Sequence, residues 1–456
     1  TFQIAKANQT ITFAAIANKT YGDPDFNVSA TASSGLSVSF TATGNCSVSG
    51  NTVHLTGAGS CTITAKQAGN TNYNAAPDVS QTFQIAKANQ TITFAAIANK
   101  TYGDPDFNVS ATASSGLPVS FVASGDCTIN ASNTVHMTRA GSCTVTASQA
   151  GNADYNAATA VPQTFQIAKA TATVNITWSN STYDGSANAA SASVSGVGTS
   201  PENLGAASLT YYAGSTATGT PLSGAPKDAG TYTVKATFSG NANYNPAEAT
   251  RTITIAQRSI SVKADAKTKI LGAPDPALTY QVTSGSLVTG DSFSGQLTRD
   301  PGENVGTYAI KQGTLTAGPN YNLTFTGANL TIVYNYSGFL QPINDTAHQT
   351  GTLESKFRLG QTIPVKFIIS NAAGTSVQQA TNPTFTRSGN LGSCDLSTTL
   401  EDPPVVTPDA SNQYIFTGGQ YHYNWSTKGL TAGEYRIFVT GLADGTKPYV
   451  DICLTK

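Results

Sequence analysis

Along most of this chain apolar and polar side chains alternate one for one over short runs, and glycine, asparagine or proline closes each run. Thr82-Phe-Gln-Ile, Thr91-Ile-Thr-Phe and Asn51-Thr-Val-His-Leu-Thr show the pattern. A period of two puts alternate side chains on opposite faces of a strand, so the sequence predicts an all-β chain of many short, half-buried strands.

The pattern repeats. Residues 1–36 and 82–117 are identical, an offset of 81, and the likeness continues with substitutions to the next TFQIAKA, where the offset is 82. A period of that size exceeds a solenoid unit and suits a small domain with its own core. A second pattern spans the whole chain: Ala58-Gly-Ser-Cys-Thr-Ile-Thr, Ala140-Gly-Ser-Cys-Thr-Val-Thr, Ala229-Gly-Thr-Tyr-Thr-Val-Lys, Val305-Gly-Thr-Tyr-Ala-Ile-Lys and Ala432-Gly-Glu-Tyr-Arg-Ile-Phe. Each reads as a glycine turn followed by an alternating strand, with Cys61, Cys143, Tyr232, Tyr308 or Tyr435 at the same place. A Gly-Asn-x-x-Tyr-Asn turn follows in the first three copies and carries Tyr73, Tyr155 and Tyr244, while the fourth has the shorter Gly-Pro-Asn-Tyr with Tyr321.

These signals predict five copies of one sandwich-like plan, at residues 8–88, 89–170, 171–256, 257–333 and 334–456. Residues 1–7, TFQIAKA, match the end of a module and read as the last strand of one preceding the five; any export signal would then lie further upstream. No Gly/Ser-rich or Pro-rich linker separates the copies, so the joins are predicted to be very short. At ~3.3 Å per strand residue, five modules in line would form a rod of about 150–200 Å.

Composition narrows the function classes. Charged residues make up 11% of the 456, the formal net charge is −1, and the pI is near 6.4. No basic surface is available to neutralise phosphates, which excludes nucleic acid as an expected partner. No run approaches the ~18–20 apolar residues of a membrane helix, so no membrane insertion is expected within this segment.

Several segments carry a family resemblance. Thr20-Tyr-Gly-Asp-Pro-Asp-Phe, Gly272-Ala-Pro-Asp-Pro-Ala-Leu-Thr-Tyr and Ser284-Gly-Ser-Leu-Val-Thr-Gly-Asp followed by Gly302-Glu-Asn-Val-Gly-Thr-Tyr resemble MBG-type (YGX) bacterial Ig-like repeats. Tyr183-Asp-Gly resembles the related YDG variant. Ile363-Pro-Val-Lys-Phe and Asn424-Trp-Ser-Thr-Lys-Gly-Leu-Thr-Ala-Gly-Glu-Tyr are similar to the PxKF domain of bacterial secreted proteins. The resemblance implies Ig-like β-sandwiches in an exported, multi-repeat protein and leaves molecular function open.

Six cysteines permit fifteen pairings. Repeat position reduces them, because Cys46 and Cys61 fall in module 1, Cys127 and Cys143 at matching places in module 2, and Cys394 and Cys453 in module 5. Intramodular disulfides are expected, and with them an oxidising, extracellular or cell-surface compartment. No Cys or His spacing suits zinc.

Candidate chemistry is sparse. Alternation points His54 and His136 outward, one repeat apart, as ordinary exposed imidazoles. Gly290-Asp-Ser-Phe-Ser-Gly contains Ser292, yet modules 3 and 4 have no histidine to activate it, and no catalytic residue is assigned. Asp23 with Asp25, and Asp104 with Asp106, flank a proline and leave Ca²⁺ open as a cofactor, against a plain Asp-Pro turn. Lys366 in an apolar strand and Asp451 in the last one leave an isopeptide crosslink open, against a lysine snorkelling at the sheet edge. Sequons such as Asn27, Asn108, Asn175 and Asn424 leave glycosylation open.

The Tyr73, Tyr155 and Tyr244 turns are the candidate binding surface, since rings beside asparagine can stack on sugars; the competing reading is a ring that closes the sandwich end. Phe2 and Ile4 make residues 1–7 a candidate donor strand for another chain, against a disordered tail left where a longer array was cut. Two functions follow as expectations. One is a non-catalytic stalk or fibre segment that self-assembles through strand exchange. The other is an adhesin or carbohydrate-binding array acting on host or surface glycans.

Overall fold

The computed structural model describes residues 2–198, 200–349, 353–394 and 399–456; Thr1 of the expected terminal strand lies outside them. Every element in the described residues is a β-strand. Five four-stranded sheets share one order. In module 1 it is Lys19–Thr20, Val79–Ala86, Gly59–Lys66, Ser39–Gly44. The module's last strand thus lies second, parallel to a short strand on one side and antiparallel to the glycine-turn strand on the other. The last strands Val161–Ala168, Ala247–Ala256, Ala328–Val333 and Tyr449–Thr455 hold the same place in their own sheets. The chain is a tandem array of five Ig-like β-sandwiches.

The register of the glycine-turn strand recurs in all five. Gly59, Gly141, Gly230, Gly306 and Gly433 stand opposite Ile85, Ile167, Ile255, Ile332 and Leu454. Two residues on, Cys61, Cys143, Tyr232, Tyr308 and Tyr435 stand opposite Phe83, Phe165, Ile253, Leu330 and Ile452. All five glycines have positive φ, from 139° to 159°. L side chains rarely adopt that backbone, so glycine fixes where the strand begins and therefore which side chains face inward.

Alternation then builds the core. In module 1 Cys61, Ile63 and Ala65 are fully buried, while Thr62 and Thr64 face out and bond to Thr82 and Ser80 at 2.8 and 2.9 Å. Thr144 pairs with Thr164 in the same way at 2.7 Å. Cross-strand hydroxyl pairs of this kind add to the stability of the sheet on its outer face. The opposing sheet of module 1 holds Phe26–Asn27, Thr52–Leu55 and Cys46–Ser49, and the Cys46–Cys61 disulfide joins the two sheets. Cys127 is bonded to Cys143, and Cys394 to Cys453, with Cα separations of 5.6 and 5.4 Å.

Candidate functional site: the joints between modules

One residue separates consecutive modules. The last strand of module 1 ends at Ala86, Lys87 follows, and Ala88 already pairs with Tyr155 of module 2. The next joints pass through Lys169, between Ala168 and the Ala170–Thr171 strand, and Gln257, between Ala256 and the Arg258–Ala264 strand. Tyr334 lies likewise between Val333 and the strand Asn335–Leu340.

The receiving side of each joint is the tyrosine turn. The Asn152 side-chain oxygen accepts the N–H groups of Asp154 and Tyr155, both at 2.8 Å, and Asn241 holds Asn243 and Tyr244 likewise at 2.9 Å. This asparagine-closed turn presents a ring and the side chain before it toward the preceding module. Its backbone clasps the incoming chain, as Ala88 donates to the Asp154 carbonyl and Asn156 donates to the Ala88 carbonyl.

The delivering side is the Tyr-Gly-Asp or Tyr-Asp-Gly segment and the glycine turn. Tyr21, Tyr102 and Tyr183 each donate a backbone N–H to the final residue of their own last strand, Ala86, Ala168 and Ala256. That bond sets each ring beside the joint. Tyr21 then meets Tyr155 edge-on at 5.5 Å, Tyr102 meets Tyr244 at 5.6 Å, and Tyr183 meets Tyr321 at 5.5 Å. Beside each ring pair, the N–H of Ala58, Ala140 or Ala229 donates to the side-chain oxygen of Asp154, Asn243 or Asn320, at 2.8, 3.1 and 2.8 Å. The joint residue adds a third bond: the Lys87 and Lys169 ammonium groups donate to the Asn152 and Asn241 carbonyls at 2.6 Å. Gln257 donates to the Pro319 carbonyl at 2.8 Å.

The joint between modules 3 and 4 carries an extra clamp. The Tyr183 and Tyr321 hydroxyls both donate to one Asp291 carboxylate oxygen, at 2.9 and 2.7 Å. Those bonds, Tyr321's first, hold the Asp291 carboxyl below its ordinary range. Tyr183 is raised chiefly by its bond to Asp291, and Tyr321 chiefly by burial. Apolar side chains of both modules, from Trp178 to Ile260 and Tyr321, form one core cluster across this joint. Among the described residues no tyrosine pair bridges modules 4 and 5. Leu271 and Val305 of module 4 pack against the module 5 core instead, and Ala372 donates to the Leu271 carbonyl at 2.8 Å.

Several sequence expectations change here. Tyr244 is 1% exposed and offers no free face for a sugar, while Tyr155 is half-buried with its ring edge-on to Tyr21. Of the three, Tyr73 alone has no ring partner from another module among the described residues. Of the four carboxylates offered for Ca²⁺, Asp23 and Asp104 accept the Thr20 and Thr101 N–H groups, and Asp25 and Asp106 pair with His54 and His136 at 2.7 and 2.8 Å. Among the described residues no group of three or more His, Cys, Asp or Glu is placed to hold a metal. Lys366 and Asp451 lie on opposite sheets of module 5, and Asp451 accepts two bonds from Arg436, so the two are not arranged for a crosslink. Phe2 and Ile4 are fully exposed and form no strand.

The alanine N–H acceptors Asp154, Asn243 and Asn320 escaped the sequence reading. Their signal was present: the position before the turn tyrosine is Asn72, Asp154, Asn243 or Asn320, an Asx residue every time.

Residues 260–331 match the family model of the MBG domain (YGX type). The matched segment lies within module 4, whose Asp291, Asn320 and Tyr321 form the receiving half of the third joint. No curated protein matches the chain. Among solved structures, the insect immune protein hemolin aligns at 10% identity over 98% of this chain and 99% of its own, with a TM-score of 0.16. Domains 4–9 of surface layer protein SbsC align at 12% identity over 98% and 81%, with a TM-score of 0.19. The Escherichia coli adhesin FdeC aligns at 12% over 92% and 97%, with a TM-score of 0.16. Scores this low carry no argument about function or module arrangement. The fold assignment rests on the sheets themselves.

Proposed function

We propose that the chain is a non-catalytic stalk segment of a secreted or cell-surface bacterial protein, holding its C-terminal, PxKF-like module at a fixed distance. The single observation that carries this reading is the one-residue joint closed three times by the same ring pair and the same alanine N–H bond. Both contacts hold the ends of a joint against each other, and the fourth joint is closed instead by Leu271, Val305 and the Ala372 N–H. The disulfides of modules 1, 2 and 5 suit an oxidising compartment. Among the described residues no helix is long and apolar enough to cross a membrane. Electron microscopy of the purified chain tests the reading: straight five-bead particles of constant length support it, and beads at random angles oppose it.

One observation favours a second reading, glycan binding at the C-terminal end. A cleft of about 540 Å³ opens at the joint of modules 4 and 5, lined by Tyr334, Tyr336, His348, Lys447 and Tyr449 among others. A glycan array probed with the intact chain and with a Tyr449→Ala variant separates this adhesive role from a purely mechanical one.

A further inference from the structure

The three joints closed by tyrosine pairs differ in charge at one shared place, where the Asx acceptor meets the residues around the donating alanine. At the first joint the acceptor is a carboxylate, Asp154, and it faces no acid. A Cβ added at Gly57 would lie 3.1 Å from the Asp154 side-chain oxygen and 3.6 Å from the Asn45 side chain, so these three residues converge beside the Ala58 N–H. Asn45 is neutral and donates to the Ala58 carbonyl.

At the second joint Asp126 and Arg139 take the places of Asn45 and Gly57 in the repeat. Asp126 accepts the Ser142 N–H and two bonds from Arg139, and those bonds, Ser142's first, hold its carboxyl below the ordinary range. The acceptor opposite this ion pair is an amide, Asn243. At the third joint Asp228 precedes the donating Ala229, and the acceptor is again an amide. The Asn320 side-chain oxygen accepts the Ala229 N–H at 2.8 Å while its NH₂ group donates to the Asp228 carboxylate at 3.0 Å. An ionised carboxylate can only accept, whereas an amide both accepts and donates. Asn320→Asp would therefore set two carboxylates at hydrogen-bond distance, and like charges so placed oppose association.

We propose that the residue before the donating alanine and the Asx acceptor form a charge key that selects which module can follow which. The acidic end of module 3, through Asp228, takes a turn with Asn before its tyrosine and rejects one with Asp. The neutral end of module 1, through Gly57 and Asn45, takes Asp154. Module 3 therefore fits module 4 and refuses module 2 as its successor, although both offer the same tyrosine ring. The key deepens the stalk reading and rests on it in treating the joints as closed in solution.

Hydrogen exchange of the full chain reads the key at the Ala229 and Ala58 amides, with the buried Val234 and Ile63 reporting that modules 3 and 1 stay folded. Asn320→Asp is expected to speed Ala229 exchange by about tenfold or more while Val234 stays protected. Adding Asp228→Gly to that variant copies the first joint and is expected to restore slow exchange. At the first joint Gly57→Asp is expected to speed Ala58 exchange, and adding Asp154→Asn, which copies the third joint, to slow it again. Unchanged Ala229 exchange in Asn320→Asp overturns the proposal, as does an Ala229 amide that stays fast once Asp228 is also replaced. Loss of Val234 protection overturns it as well, because the effect then lies in the fold of module 3. Failure of the stalk reading looks different: Ala58 and Ala229 then exchange freely in the unaltered chain, which removes the key with it.

Discussion

The ring of Tyr21 meets the ring of Tyr155 edge-on, with centroids 5.5 Å apart and planes at 88°, although the two residues belong to different modules. Tyr21 is held there by its own last strand, and Tyr155 by an asparagine turn, so neither ring needs the other to be in place. The joint is therefore a contact between two rigid ends. An edge-to-face pair contributes about 0.5–1.5 kcal/mol beyond its buried area.

Tyr21→Ala is expected to loosen the first joint without unfolding either module. Amide exchange at Ala58, whose N–H bonds to Asp154, reports it directly. Faster exchange at Ala58 with unchanged protection of Ile63 and Val145 is the predicted pattern. Loss of protection at Ile63 would mean that Tyr21 serves its own core instead.

The third joint is expected to be sensitive to pH through Asp291. Its folded pKa is depressed by the Tyr321 and Tyr183 hydroxyls, so the stabilisation is fully present above the unfolded carboxyl value and is lost as pH falls through the lower folded one. The tyrosines act at the other end: both are raised, so their contribution is present below the ordinary phenol value and is lost as pH rises through the folded ones. Asp291→Asn should flatten the acid limb. Spin-label distances across modules 3 and 4, recorded against pH, check this; an acid limb that persists in Asp291→Asn refutes it.

Module 4 contains a four-residue charge network that should set its acid stability. Lys269, with a side chain only 4% exposed, lies 2.6 Å from Asp275 and also contacts Glu303, and Arg299 bonds to both carboxylates. The Arg299 guanidinium, followed by Lys269, lowers the Asp275 pKa to about 2. The stabilisation is present above the ordinary carboxyl range and is lost as pH falls through about 2. Asp275→Ala leaves Lys269 half-partnered in a buried site and is expected to cost about 1–3 kcal/mol. Denaturant unfolding of the full chain followed by exchange at Ile310 and Leu330 measures it. Loss of protection there, with module 1 unaffected, is the expected result; no change in module 4 would refute the assignment.

What the sequence reveals and what it hides follow from how each contact is made. The glycine-turn strands were legible because one glycine and a period of two fix both start and facing, so Gly59 and Cys61 predict Gly433 and Tyr435. The joints were not, because alternation says which face a side chain takes and nothing about what meets the end of a sandwich. Tyr155 beside Asn156 reads the same whether it faces solvent, a sugar or Tyr21. Lys269 falls at an alternating position of a short strand, and only the fold brings Asp275 and Glu303 to it.

Small-angle scattering of the intact chain tests the central claim, that repeated joints make the five modules one extended and stiff body. The account predicts a maximum dimension of about 150–200 Å, little changed by salt, with a cross-section of a single sandwich. A radius of gyration near about 22 Å, the value for a compact chain of this length, would contradict it.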